Sequence, residues 1–158
     1  MLKMMVLVLA MIIFQPMTAT ATAADSFAGE WIVSMGAEGV YEDGNVDNNV
    51  TGTLKISLKE NKYNYFEGKV MADDTAIGTV YLFPSSDNSS SAELAVYINS
   101  PVILMSDYTM TISCRLFVKS DNYLMGVLSG SLNESGYPFV LFHGRVYMSR
   151  PSADGGKG

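Results

Sequence analysis

The sequence predicts an all-β fold, an antiparallel up-and-down meander of about eight strands in one domain, with a closed barrel favoured over a sandwich. Three observations predict it. Apolar and polar residues alternate in segment after segment, the two-residue period of a strand with one buried face. No stretch beyond the N-terminus carries the three-four apolar spacing and end caps of a helix. Clusters of turn-forming residues recur at short intervals, which suits hairpins better than helical crossovers.

Residues 1–24 read as a cleavable signal peptide. A single cation, Lys3, is followed by the uncharged apolar run Met4 to Phe14, then Pro16 and the small-residue stretch Met17 to Ala24. That order is an n-region, an h-region and a cleavage site, with cleavage expected after Ala23 or Ala24. The apolar run is too short for the roughly 20 helical residues that a bilayer requires, so no membrane span is expected after cleavage. The expected location is secreted, or lumenal or periplasmic.

A single β-barrel domain is expected over residues 25–149. Its strands are predicted at Gly29 to Met35, Val50 to Leu58, Tyr63 to Met71, Ile77 to Phe83, Ala92 to Ile98, Tyr108 to Val118, Tyr123 to Leu132 and Pro138 to Met148. A short extra strand at Val102 to Met105 is an alternative. The separators Glu42 to Asn45, Glu60-Asn61, Asp73-Asp74, Pro84 to Ser91, Lys119 to Asn122 and Asn133 to Gly136 are rich in turn formers. Residues 150–158 have nothing to bury and are expected to be a disordered tail.

An internal echo supports a hairpin-based build. Gly52 to Glu60, then Tyr63 and Phe66 to Val70, recurs as Gly126 to Glu134, then Tyr137 and Phe142 to Val146. Each copy reads as strand, turn, strand, with Gly68 and Gly144 where a strand must bend or pack closely. Duplication and convergent strand patterning both account for it.

Charge excludes one class of partner. The chain carries a net charge of −6, which falls to −7 without Lys3, and Lys and Arg form no run. No nucleic-acid footprint is present.

Candidate chemistry is sparse. Cys114 is the single cysteine, so no intrachain disulfide can form, and it alternates onto the same face as Met110, Ile112 and Leu116. It reads as a small core hydrophobe, with an intermolecular disulfide as the alternative. His143 is the single histidine, on one face of the last strand with Leu141, Arg145 and Tyr147. A Ser or Cys nucleophile would have that one imidazole as its base, and no nucleophile elbow or zinc-binding pair of histidines occurs. Asp43 to Asn49 starts like a calcium loop, but Asn48 stands where Gly is needed and Leu54 where a bidentate Glu belongs. A polar connecting loop is expected there. Asp73-Asp74 is a turn pair whose carboxylates point apart. No catalytic residue, metal site or cofactor is expected, and the chain is not expected to be an enzyme. Three sequons, at Asn49, Asn88 and Asn133, fall in or beside predicted loops and would carry glycans in a eukaryotic source.

Three short segments resemble the lipocalin and wider calycin barrels. Gly29-Glu30-Trp31 opens the first strand just after the signal, as the Gly-x-Trp signature does in that family. Ser106-Asp107-Tyr108 is similar to its Thr-Asp-Tyr turn, and Leu141 to Arg145 resembles its final-strand segment. The resemblance implies a barrel in which Trp31 plugs the closed end and Arg145 stacks on it through a cation–π contact. It also implies ligand binding. The family's helix after the barrel is not expected here, and with one cysteine its usual disulfide cannot form within this chain.

The resulting expectation is a non-catalytic barrel binding a small apolar ligand in a cavity lined by Leu54, Ile56, Leu94, Val96, Ile112 and Leu128. A fully packed interior would contradict it, and eight-stranded barrels lie at the size where either outcome occurs. The alternative is a protein–protein interaction module, adhesin-like or inhibitor-like, with a solid core. Its binding surface would be a Tyr-rich face that includes Tyr63, Tyr65, Tyr81 and Tyr97, or the Gly36 to Asn49 loop.

Overall fold

The computed structural model describes residues 27–86, 90–101, 104 and 107–152. The signal segment lies outside them. So do residues 153–158 and most of the Val102 to Met105 segment, of which Leu104 is described and is not in a strand. Eight strands follow in order: β1 (Gly29–Tyr41), β2 (Val46–Glu60), β3 (Phe66–Ala72), β4 (Thr75–Pro84), β5 (Ser91–Ile98), β6 (Tyr108–Ser120), β7 (Tyr123–Glu134) and β8 (Tyr137–Ser149). Each pairs antiparallel with the next, and β1 pairs with β8, so the sheet closes as a barrel.

Alternation sets which side chains fill the interior. Along β2, Ile56 and Leu58 point inward and are buried, whereas Lys55, Ser57 and Lys59 point outward. The same parity buries Val80 and Leu82 on β4, Leu94 and Val96 on β5, and Ile112, Cys114 and Leu116 on β6. Closing the sheet pairs every strand on both sides for at least part of its length and removes free edges there.

The interior differs between its two ends. At the end where the chain enters, Trp31, Phe66, Leu82, Leu116, Leu124 and Met148 are all at most 1% exposed. Phe27 plugs this end, edge-on to Phe66 with ring centroids 5.7 Å apart. The Trp31 indole Nε1 donates to the Phe27 carbonyl oxygen at 2.9 Å, so the buried indole keeps a hydrogen bond. The guanidinium over Trp31 belongs to Arg150, 4.0 Å from the ring, and not to Arg145. Parity explains the correction. Val146 and Met148 point inward on β8 and the same parity carried just past its end reaches Arg150, whereas Arg145 points outward and is exposed. Arg150 Nη1 also donates to the Ala28 carbonyl at 2.7 Å and the Glu30 carbonyl at 3.3 Å, tying the chain beyond β8 to the start of β1.

At the opposite end the walls are uneven. β1 continues to Tyr41 and β2 begins at Val46, so the expected Gly36 to Asn49 loop is mostly strand, closed by a turn at residues 42–45. The Gly-rich stretch stays extended because β8 pairs along it from Gly36 to Tyr41. Gly39 is buried there, and a Cβ on it would lie 3.2 Å from the side chains of both Val140 and Val50, a tight fit. β2 pairs with β3 over Lys55–Glu60 alone, which leaves Val46 to Leu54 supported by β1 on one side only. The long β1–β2 hairpin therefore overhangs the short β3–β4 hairpin and leaves a gap in the wall.

Candidate functional site

The gap opens into a cavity of about 260 Å³. Its side walls come from Met35 and Ala37 on β1, Val50 and Leu54 on β2, Met110 and Ile112 on β6, and Leu128 and Leu132 on β7. Ile98, Val140 and Phe142 complete the apolar lining, and Tyr41 stands at the rim. Thr51 and Thr53 also border it, at the stretch of β2 that lacks a β3 partner. Gly52 keeps the space clear on that side, because a Cβ there would meet nothing nearer than the Met35 methyl carbon, Cε, at 3.4 Å.

Of the six residues expected to line a cavity, Leu54, Ile112 and Leu128 do so. Ile56, Leu94 and Val96 belong instead to the packed core. They lie deeper along the same inward faces, toward Trp31, where facing side chains meet.

Three aromatic rings stand together at the open end. Phe139 lies edge-on to Tyr41 with centroids 5.9 Å apart and edge-on to Tyr108 at 6.1 Å. Phe139 has no partner in the β7–β8 ladder, where pairing passes from Leu132 with Val140 to Asn133 with Pro138. The bulge re-aims this one side chain. Desolvation pushes the Tyr108 phenol above its ordinary range, with Glu134, its hydrogen-bond partner, and Asp107 adding to the shift.

The two ends differ in charge. Among the described residues, the turns of the open end and the residues beside them carry Glu42, Asp43, Asp47, Asp73, Asp74, Asp107 and Glu134, and no Lys, Arg or His. The Trp31 end is mixed, with Lys59, Lys62, Lys119 and Arg150 beside Glu30, Glu60 and Asp121.

A second concavity, of about 580 Å³, lies on the outer face. Register explains it: Ala95 pairs with Ser113 and Ser113 with Ser129, a row of small side chains crossing three strands. Tyr81, Tyr97 and Leu141 flank this floor. Tyr65 packs against Tyr81 and Phe83 beside it, with centroids 6.3 and 5.5 Å apart.

The remaining candidate groups sit apart from the cavity. His143 Nε2 is 3.3 Å from Glu38 Oε2 on the outer face, both well exposed. Cys114 is buried, and burial pushes its thiol up to about 12. Asp43 accepts from the Asn45 backbone N–H at 3.0 Å, and Asp47 does the same for Asn49 at 2.9 Å, so both carboxylates serve their own turns. Among the described residues, no three His, Cys, Asp or Glu side chains are grouped to hold a metal ion. Of the sequons, Asn49 is exposed on β2, Asn133 is half-buried in β7 with its amide 3.5 Å from the Thr109 carbonyl, and Asn88 lies outside the described residues.

Lining residues that sequence reasoning missed include Met35, Ala37, Gly52, Val140 and Phe142. Continuing the parity of Trp31 and Val33 along β1 gives the first two.

No family model matches the chain, and no curated protein matches it. Solved structures that resemble it include a redesigned β-barrel, 12% identical over 82% of this chain and 96% of that one, with a TM-score of 0.43. Another is a protein of unknown function from the DUF3598 family of Nostoc punctiforme. It is 12% identical over 81% of this chain and 49% of its own, with a TM-score of 0.38.

Proposed function

We propose that the chain is an exported, non-catalytic barrel that holds a small apolar ligand in the cavity between its open end and its Trp31 core. The observation that carries the proposal is the lining, which apart from Tyr41 and the two threonines is apolar. Magnitude supports it. An apolar cavity of about 150 Å³ takes up benzene, so one of 260 Å³ has room for a ring with a short chain attached. The apolar run from Met4 to Phe14 supports export, and the Gly-x-Trp opening of β1 supports kinship with the lipocalin-like barrels.

Binding fits better than catalysis because the single imidazole points away from the cavity, paired with Glu38 on the opposite side of the wall. A water-facing exterior fits better than a lipid-facing one. Lys55, Lys59, Glu67, Lys69, Glu93 and Arg115 all point outward, the reverse of the apolar-out pattern of a membrane barrel.

The experiment is calorimetric titration with n-butylbenzene, with Gly52→Leu as the variant. Gly52 lines the cavity, and a Cβ added to it would have the Met35 side chain and no backbone atom within 4 Å, so the substitution is expected to fill space without straining the strand. The wild type should bind the probe and the variant should lose at least about tenfold in affinity, which corresponds to about 1.4 kcal/mol. Absence of binding by the wild type, or equal binding by a folded variant, would contradict the proposal.

A second reading rests on the outer groove, whose exposed Tyr81 and Tyr97 suit a partner surface. Retention of a partner by Gly52→Leu and its loss in Tyr81→Ala/Tyr97→Ala would favour that reading.

A further inference from the structure

We infer that the cavity selects an amphiphile with a compact apolar body and a cationic head, an alkyl- or arylalkyl-ammonium, and rejects a carboxylate of the same shape. The inference rests on the ligand-binding reading above and deepens it. Two features of the open end, independent of the cavity itself, carry it.

The first is charge complementarity. Every turn of the open end has at least one carboxylate in it or beside it, and no Lys, Arg or His accompanies them. Asp73 and Asp74 form the turn of the short hairpin below the gap, and Asp47 is on the overhanging strand of β2. Glu134 and Asp107 stand beside Tyr108. A cleft whose walls are apolar and whose rim is of one sign focuses its field on the entering ligand, concentrating cations and repelling anions. The wall cations Lys55, Lys69, Arg115 and Arg145 point outward, away from the cavity, and Lys59, Lys62, Lys119 and Arg150 are at the opposite end.

The second is the aromatic trio. Tyr41, Phe139 and Tyr108 meet edge to face, and the bulge in β8 delivers the middle ring. Ring faces attract ammonium groups, and Tyr41 of this cluster lines the cavity at its rim. The cavity supplies no cation for a carboxylate. Tyr41 and the two threonines offer its only side-chain hydroxyls, and none of its lining residues is charged. An ammonium head lies at the rim while the body fills the cavity, so neither part is buried against its chemistry.

The experiment compares n-butylbenzene, phenylbutylamine and phenylbutyrate, which share one apolar body and differ in head charge at neutral pH. Calorimetry on the full mature chain at low salt should show the amine binding at least about tenfold more tightly than the carboxylate, with the ratio shrinking at high salt. Asp107→Asn/Glu134→Gln should narrow the ratio, and circular dichroism confirms that it is folded. The glutamine keeps an acceptor for the Tyr108 phenol, so packing is held while charge is removed. Equal affinities, or preference for the carboxylate, would overturn this inference and leave the cavity reading intact so long as butylbenzene binds. Failure of all three probes would overturn both.

Discussion

Arg150 contributes three contacts at once: a guanidinium 4.0 Å over the Trp31 ring and two donations to carbonyl oxygens at the start of β1. A cation–π contact is worth about 0.5–2 kcal/mol, and hydrogen bonds from a charged donor add to it. Arg150→Ala should therefore lower stability by about 1–2 kcal/mol in urea unfolding. Arg145→Ala, an exposed outward side chain, should stay within about 0.5 kcal/mol of wild type. The reverse order would contradict the assignment. The sequence motif pointed to Arg145, because Gly144-Arg145 has the local look of the family's final strand. Alternation from the buried Met148 leads two residues on to Arg150, which the composition of residues 150–158 hides among residues that look like a tail. Trp31 itself was correctly read as buried, since an indole at the start of a strand that opens an all-β chain has few other places to go.

At the scale of elements, the strand order and all eight strands follow from period-two alternation. Their ends do not. β1 runs six residues past its predicted end at Met35 because ladder pairing with β8 holds Gly36 to Tyr41 extended, a long-range effect that glycine's poor strand propensity hides. The β7–β8 bulge is likewise invisible in the residues, yet it decides where Phe139 points. Gly68 shows the opposite case, since the echoed motif marks it in the sequence as a place where a strand bends or packs closely. A Cβ on it would run into the backbone of Ser57 and Leu58 on the paired strand, which cannot yield as a side-chain tip can. Gly68→Ala should cost about 1–3 kcal/mol in denaturant unfolding by overpacking the β2–β3 pair. An unchanged midpoint would show that the two strands separate more easily than the register implies.

At the scale of the whole molecule, one closed sheet contains two different interiors. Large side chains meet across the Trp31 end, where Phe27, Trp31 and Phe66 fill the bore. Toward the other end Ala37 and Gly52 replace them, the β3–β4 hairpin stops short, and space is left. Alternation in the sequence predicts an apolar interior, and the buried residues are apolar. Which half is hollow depends on the relative heights of hairpins, and hairpin height is set by pairing partners that lie far apart in the chain. That is why Leu54, Ile112 and Leu128 reach the cavity while Ile56, Leu94 and Val96 do not.

The central claim is a barrel packed at one end and receptive at the other, and methyl NMR titration with n-butylbenzene tests it most directly. Shifts should concentrate on Met35, Leu54, Met110, Leu128, Leu132 and Val140, leaving Leu82, Leu116 and Met148 unmoved. Shifts confined to the outer groove around Ala95 and Leu141, or an absence of any saturable shift, would contradict it.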